Sequence, residues 1–99
     1  MEDLTELSGF FEAIAEDSRI GATHISLYMA LLQHWNRSSF RGPVIFTSRE
    51  VMRMAKICSR ATYHKCLSDL VEYGYIKYEP SCDPHTGNKA FMKKYNGKD

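Results

Sequence analysis

The sequence predicts one small, mostly helical α+β domain, on three observations. Four stretches carry apolar residues at helical spacing, three short runs are rich in β-branched or aromatic residues, and the composition suits a single core. The chain has 99 residues, of which 43% are hydrophobic and 12% aromatic, a globular usage unlike that of charge-rich disordered chains. A chain near this length buries somewhat over about 60% of its unfolded surface. Folding is therefore expected to need neither metal nor disulfide.

Leu4, Leu7, Phe10, Phe11 and Ile14 recur at helical spacing with acids between them, predicting an amphipathic helix from about Asp3 to Glu16. Acids in its first turn also suit the helix dipole. The segment from Asp17 to Ala22 reads as a connection, and Thr23 is the expected cap of a second helix. Ile25, Tyr28, Leu31, Leu32 and Trp35 form one broad face of that helix, which should end near Asn36 where turn residues and Pro43 follow. Val44 to Thr47 reads as one short strand. Ser48 is the expected N-cap of a short third helix holding Val51, Met52, Met54 and Ala55, followed by a tight link of Lys56, Ile57 and Cys58.

Ser59 caps the longest well-marked helix of the second half, to about Tyr73, whose buried stripe is read as Tyr63, Cys66, Leu67, Leu70 and Val71. Gly74 stands where a left-handed residue commonly ends a helix. Beyond it, YIKYE and FMKKY bracket the polar stretch PSCDPHTGNKA, a hairpin signature with a long loop. Helix, helix, strand, short helix, tight turn, longer helix and hairpin is the element order of a winged helix-turn-helix. Residues 1–99 thus read as one winged-helix domain in which residues 1–18 form an acidic amphipathic N-terminal helix.

Within this order, Thr47 to Ile76 resembles the helix-turn-helix and wing entry of bacterial winged-helix regulators of the MarR and GntR type. The matching residues are Met54-Ala55, then Ser59-Arg60-Ala61-Thr62, then Leu67, Leu70 and Gly74-Tyr75-Ile76. Those families usually carry a glycine in the turn, where this chain has Lys56-Ile57-Cys58. More loosely, the whole is similar to small winged-helix proteins of bacterial mobile elements. The resemblance implies sequence-specific binding of duplex DNA in transcription regulation, by a recognition helix in the major groove and a basic wing on the backbone.

A buried stripe at Tyr63, Cys66, Leu67, Leu70 and Val71 leaves Arg60, Ala61, His64, Lys65, Ser68 and Asp69 facing outward. The candidate base-contacting residues are Ser59, Arg60, Thr62, His64, Lys65 and Ser68, with Arg60 suited to a bidentate contact with guanine. Arg49, Arg53 and Lys56, from the helix that crosses the sugar-phosphate backbone in this motif, are candidate phosphate contacts. Lys89, Lys93 and Lys94, with His85 in the loop, would make the wing a second phosphate-contacting element. For a wing lysine the competing role is protection of an exposed sheet edge. Tyr28, Trp35, Phe46, Tyr63 and Phe91 read as core rather than as base-stacking platforms.

Charge and chemistry narrow the function classes. The net charge is only +1, but residues 1–18 hold six acids and no lysine or arginine, while the remainder holds all 13 bases against six acids. A basic body with a separate acidic element suits a chain that meets phosphates on one face. Cys58, Cys66 and Cys82 contain no CxxC pair, and with His85 they match no zinc-ligand spacing, so neither a disulfide framework nor a metal or cofactor is expected. No nucleophile, phosphate-loop or metalloprotease motif is present, and catalysis is not expected. No signal-peptide or membrane-span pattern is seen, so a cytoplasmic location is expected. The expected partner is duplex DNA; the N-terminal helix reads either as packed on its own core or as packed against a second copy in a homodimer. The alternatives are a winged helix used only for protein contacts, or an accessory DNA-binding protein for replication, excision or transfer of a mobile element.

Overall fold

Seven elements follow one another in the computed structural model, which describes residues 2–81 and 87–95: α1 (Glu2–Ile14), α2 (Ala22–Arg37), β1 (Val44–Phe46), α3 (Ser48–Ala55), α4 (Arg60–Glu72), β2 (Ile76–Glu79) and β3 (Asn88–Met92). They make a small α+β domain of four helices and one three-stranded antiparallel sheet in the order β1-β3-β2.

α2 is the central post, because its Leu27, Tyr28, Leu31 and Trp35 are all buried and it packs against α3, α4 and the sheet. Its start is capped differently from expectation. Gly21, not Thr23, is the N-cap, and its backbone N–H donates to His24 Nδ1 at 3.0 Å. At the far end the Trp35 indole N–H donates to the Gly42 carbonyl at 3.1 Å, fastening the loop that leads into β1.

α3 is capped by Thr47 rather than Ser48. The Thr47 hydroxyl accepts the Glu50 N–H at 3.2 Å, and the Glu50 carboxylate accepts the Thr47 N–H at 3.3 Å, a reciprocal capping box. Lys56 ends the helix in the left-handed region at φ 63°. It occupies the conformation a glycine would adopt without cost, so the missing turn glycine leaves the backbone path intact. The turn closes by an Ile57 N–H bond to the Met52 carbonyl at 2.9 Å, with the Ile57 side chain buried beneath it. Left-handed backbone is unfavourable for a residue with a Cβ. Lys56→Gly is therefore expected to stabilise the fold by about 0.5–1 kcal/mol after allowing for the freer unfolded chain, read as a higher urea midpoint at unchanged slope.

The apolar face of α1 is turned onto its own chain. Phe10 is fully buried and stacked on Tyr28, ring centroids 3.7 Å apart and planes 3° from parallel, with the Tyr75 ring edge-on at 5.7 Å. Glu6 is buried beside it and accepts the Tyr95 backbone N–H at 2.9 Å. Of the two readings of this stripe, the described residues show packing on its own core by Phe10, with Leu7 and Ile14 partly buried and Phe11 exposed; the side chain of Leu4 lies outside the described residues.

The second arm of the hairpin starts and ends earlier in the chain than expected. β3 runs from Asn88 to Met92, so Asn88, Lys89 and Ala90 belong to the strand while Lys93, Lys94 and Tyr95 follow it; residues 82–86 lie outside the described residues. β3 is the middle strand, with Ala90 opposite both Val44 and Tyr78 and fully buried. Phe91 is a correction of the other kind. It points outward and is 37% exposed, because alternation places Ala90 and Met92 on the core side.

Candidate nucleic-acid interface

Three chain segments meet at one end of the molecule. Arg60, the first residue of α4, donates from Nη1 to Ser48 Oγ at 3.2 Å, bringing the starts of α3 and α4 together. Ser48 lies two residues beyond Phe46, which pairs with Asn88 at the loop end of the hairpin. Asn88 Oδ1 in turn accepts the Ser81 N–H at 3.1 Å and ties the two hairpin arms there. The starts of α3 and α4 and the loop end of the hairpin therefore share one surface.

That surface is exposed and carries more bases than acids, with Glu50 in the first turn of α3 and Glu79 opposite Lys89 in the strand register. Arg49 and Arg53 are exposed at a spacing of four, one face of α3, and Lys56 is exposed just past its end. Ser59, Arg60, Thr62, His64, Lys65 and Ser68 are all exposed along α4, as is Lys89 on β3. Ser59 is also structural: its hydroxyl accepts the Thr62 N–H at 3.2 Å and caps α4, leaving its own hydrogen free to donate outward. α1 packs on Tyr28, Tyr75 and Tyr95, away from this end.

Beneath the surface, α4 is held by a stripe of Tyr63, Cys66, Leu67 and Leu70. Burial pushes the Tyr63 phenol up to about 12 and raises the Cys66 thiol, as suits core residues rather than reactive ones. Two positions on α4 differ from the sequence reading. Val71 is 38% exposed rather than core. Together with Leu67, Tyr78, His64, Ser68 and Glu72 it lines an open groove of about 300 Å³ between α4 and β2.

Asp69 is the second difference: it is buried, not outward. His24 Nδ1 already accepts the Gly21 N–H, so in the neutral ring Nε2 carries the proton and donates to Asp69 Oδ2 at 2.9 Å. Lys65 Nζ reaches the same oxygen at 3.2 Å. The Lys65 side chain is 75% exposed, and a solvated pair of this kind holds its lysine weakly. Its cation stays available to a stronger anion.

The hydrogen bond from His24, then the one from Lys65, holds the Asp69 carboxyl below the usual range. At Asp17 the Arg19 guanidinium, with its Nε 2.8 Å from Oδ1, and then the Tyr75 hydroxyl at 2.6 Å do the same. A carboxyl with a lowered folded value adds stability that is complete above its unfolded value, near pH ~4, and is lost as pH falls through the folded value. The thermal midpoint is expected to drop from about pH 5 downward. Melts followed by circular dichroism should show a shallower acid limb in Asp17→Asn and in Asp69→Asn, each with a lower midpoint at neutral pH.

Not every candidate joins this surface. Lys93 and Lys94 follow β3 at the end away from the loop, roughly 13 Å of extended chain from Lys89. Lys93 there lies over the Tyr95 ring at 5.6 Å. Cys82 and His85 lie outside the described residues. Among the described residues no group of three or more His, Cys, Asp or Glu is arranged to hold a metal ion, and no helix is long and apolar enough to cross a membrane. Comparison with family models, curated proteins and solved structures gives no match for this chain.

Proposed function

We propose that this domain is a winged helix-turn-helix that binds duplex DNA in a sequence-specific manner, with α4 as the recognition helix in the major groove and the β2–β3 hairpin as the wing on the backbone. One observation carries the reading: the exposed starts of α3 and α4, with Arg49 and Arg60, and the loop end of the hairpin, with Lys89, lie together on one side of the described chain. A helix presented by its N-terminal half, with a second helix beside it to meet phosphates, matches what a major groove admits. In this reading Arg60, Thr62 and His64 face base edges, while Arg49, Arg53, Lys56 and Lys89 position the backbone. Transcription regulation is the role such binding would serve.

The groove lined by Leu67, Val71 and Tyr78 favours a second reading, a protein-interaction module, because it is apolar and open on the same side. Gel-shift titration of random and selected duplexes over a salt series separates the two. Duplex binding that falls steeply and linearly in log–log form with salt supports the first. No shift at low salt rejects it.

A further inference from the structure

An acid on a helix that enters a duplex is repelled by the phosphates, yet α4 carries Asp69 one turn beyond Lys65. Asp69 is 9% exposed, and its Oδ2 receives two donors, His24 Nε2 at 2.9 Å and Lys65 Nζ at 3.2 Å. The two donors differ in freedom. His24 belongs to α2, is itself mostly covered, and is fixed from its other side by the Gly21 N–H on Nδ1 at 3.0 Å. The Lys65 side chain is largely in solvent and reaches Asp69 from the preceding turn. The carboxylate is therefore anchored to the core, whereas its lysine is free to leave, and the bond from His24 still satisfies the oxygen that the lysine vacates.

Lys65 also stands where a duplex on α4 would reach it. Ala61 lies four residues before it and Ser68 three after, the spacings of one helix face, and all three are exposed. Tyr63, Cys66, Leu67 and Leu70 fill the buried side of the helix. The ammonium thus has two anions to choose between, a fixed carboxylate of its own chain and the phosphate of a bound strand. We propose that Asp69 competes with the duplex for Lys65, as an internal stand-in for phosphate that lowers the affinity of α4 for every duplex alike. This rests on the reading of α4 as a recognition helix and adds to it a residue that weakens binding. An ion pair with so exposed a lysine is worth little, so the competition should raise Kd only roughly 2- to 5-fold.

Anisotropy titration of a labelled duplex at about 0.15 M salt, where charges are screened over about 8 Å, tests this as a double-variant cycle. Asp69→Asn keeps the shape of the residue and an oxygen for His24 but removes the charge that holds Lys65. It is expected to bind duplex more tightly than the wild type despite its lower thermal midpoint, a combination that damage to the fold does not produce. Lys65→Gln is expected to weaken binding and lower the salt slope by about one; unchanged affinity overturns the proposal. Loss of Asp69 also relieves its repulsion from the phosphates whatever Lys65 does, so the deciding quantity is a ratio. The gain from Asp69→Asn should be roughly 2- to 5-fold larger with Lys65 present than in the Lys65→Gln background. Equal gains in both backgrounds, with a wild type that binds duplex, overturn the competition and leave the recognition helix standing; no binding by the wild type at low salt overturns both. Should Asp69→Asn fail to fold, the carboxyl carbon resonance of Asp69 takes its place. Saturation with duplex is expected to move that resonance further in the wild type than in Lys65→Gln, and equal movement rejects the proposal.

Discussion

Arg60→Ala is expected to flatten sequence preference by about 1–3 kcal/mol, roughly 5- to 150-fold between a selected and a scrambled duplex, while leaving affinity for the scrambled one little changed. The reason is geometric. Arg60 is the first residue of α4, exposed, and its guanidinium is held by one hydrogen bond to Ser48 Oγ at 3.2 Å. That single neutral partner leaves most of its five donors unspent, enough for a bidentate contact to a base edge. Lys89→Ala is the contrasting variant: a point charge at the hairpin's loop end, whose loss should weaken every duplex alike and lower the salt slope by about one. Ser48→Ala separates positioning from contact. It removes the brace and keeps the guanidinium, so it should cost much less discrimination than Arg60→Ala. Equal losses of discrimination from Arg60→Ala and Lys89→Ala would sink these role assignments.

How much of this surface was legible in the sequence follows from how local each signal is. Ser59 as a cap, Gly74 as a terminator and the buried stripe of α4 depend on neighbours three or four residues away, and the structure has all of them except Val71. The Thr47 cap was equally local and was misread as Ser48. Thr47 with Glu50 three residues later is the reciprocal capping pattern, whereas Ser48 has Val51 at that position. Asp69 was beyond reach, because the group that draws an acid out of solvent is His24, 45 positions earlier. The start of β3 was hidden for a related reason. Asn88, Lys89 and Ala90 have poor strand character alone, and Ala90 is favoured only because the middle strand brings Val44 and Tyr78 to either side of it. Lys93 and Lys94 were assigned to the wing by their charge, but their place relative to Lys89 depends on where that strand begins.

The largest effect on stability is expected from Phe10→Ala. Phe10 is fully buried, face to face with Tyr28 at 3.7 Å and edge-on to Tyr75 at 5.7 Å. Removing a buried phenyl ring typically costs about 3–5 kcal/mol, the transfer term plus the cavity left behind, which is a large share of the roughly 5–15 kcal/mol a small domain has in total. The cavity is expected to collapse poorly, because the rings on two of its sides belong to α2 and to the residue just before β2, which other contacts hold in place. Glu6 and Gly9 on the same helix face would lose their hold on the C-terminal segment as well. A Cβ built on Gly9 would lie 2.1 Å from the Tyr95 Cβ, so backbone and ring are in direct contact there. Loss of α1 docking should therefore free Tyr95 too. Urea unfolding at neutral pH reads the cost, and amide exchange reads its spread, with protection lost first in α1 and at Tyr95. A cost under about 1 kcal/mol, in the range of exposed substitutions, would mean that α1 is not part of the core and that the Phe10 contacts are not maintained in solution.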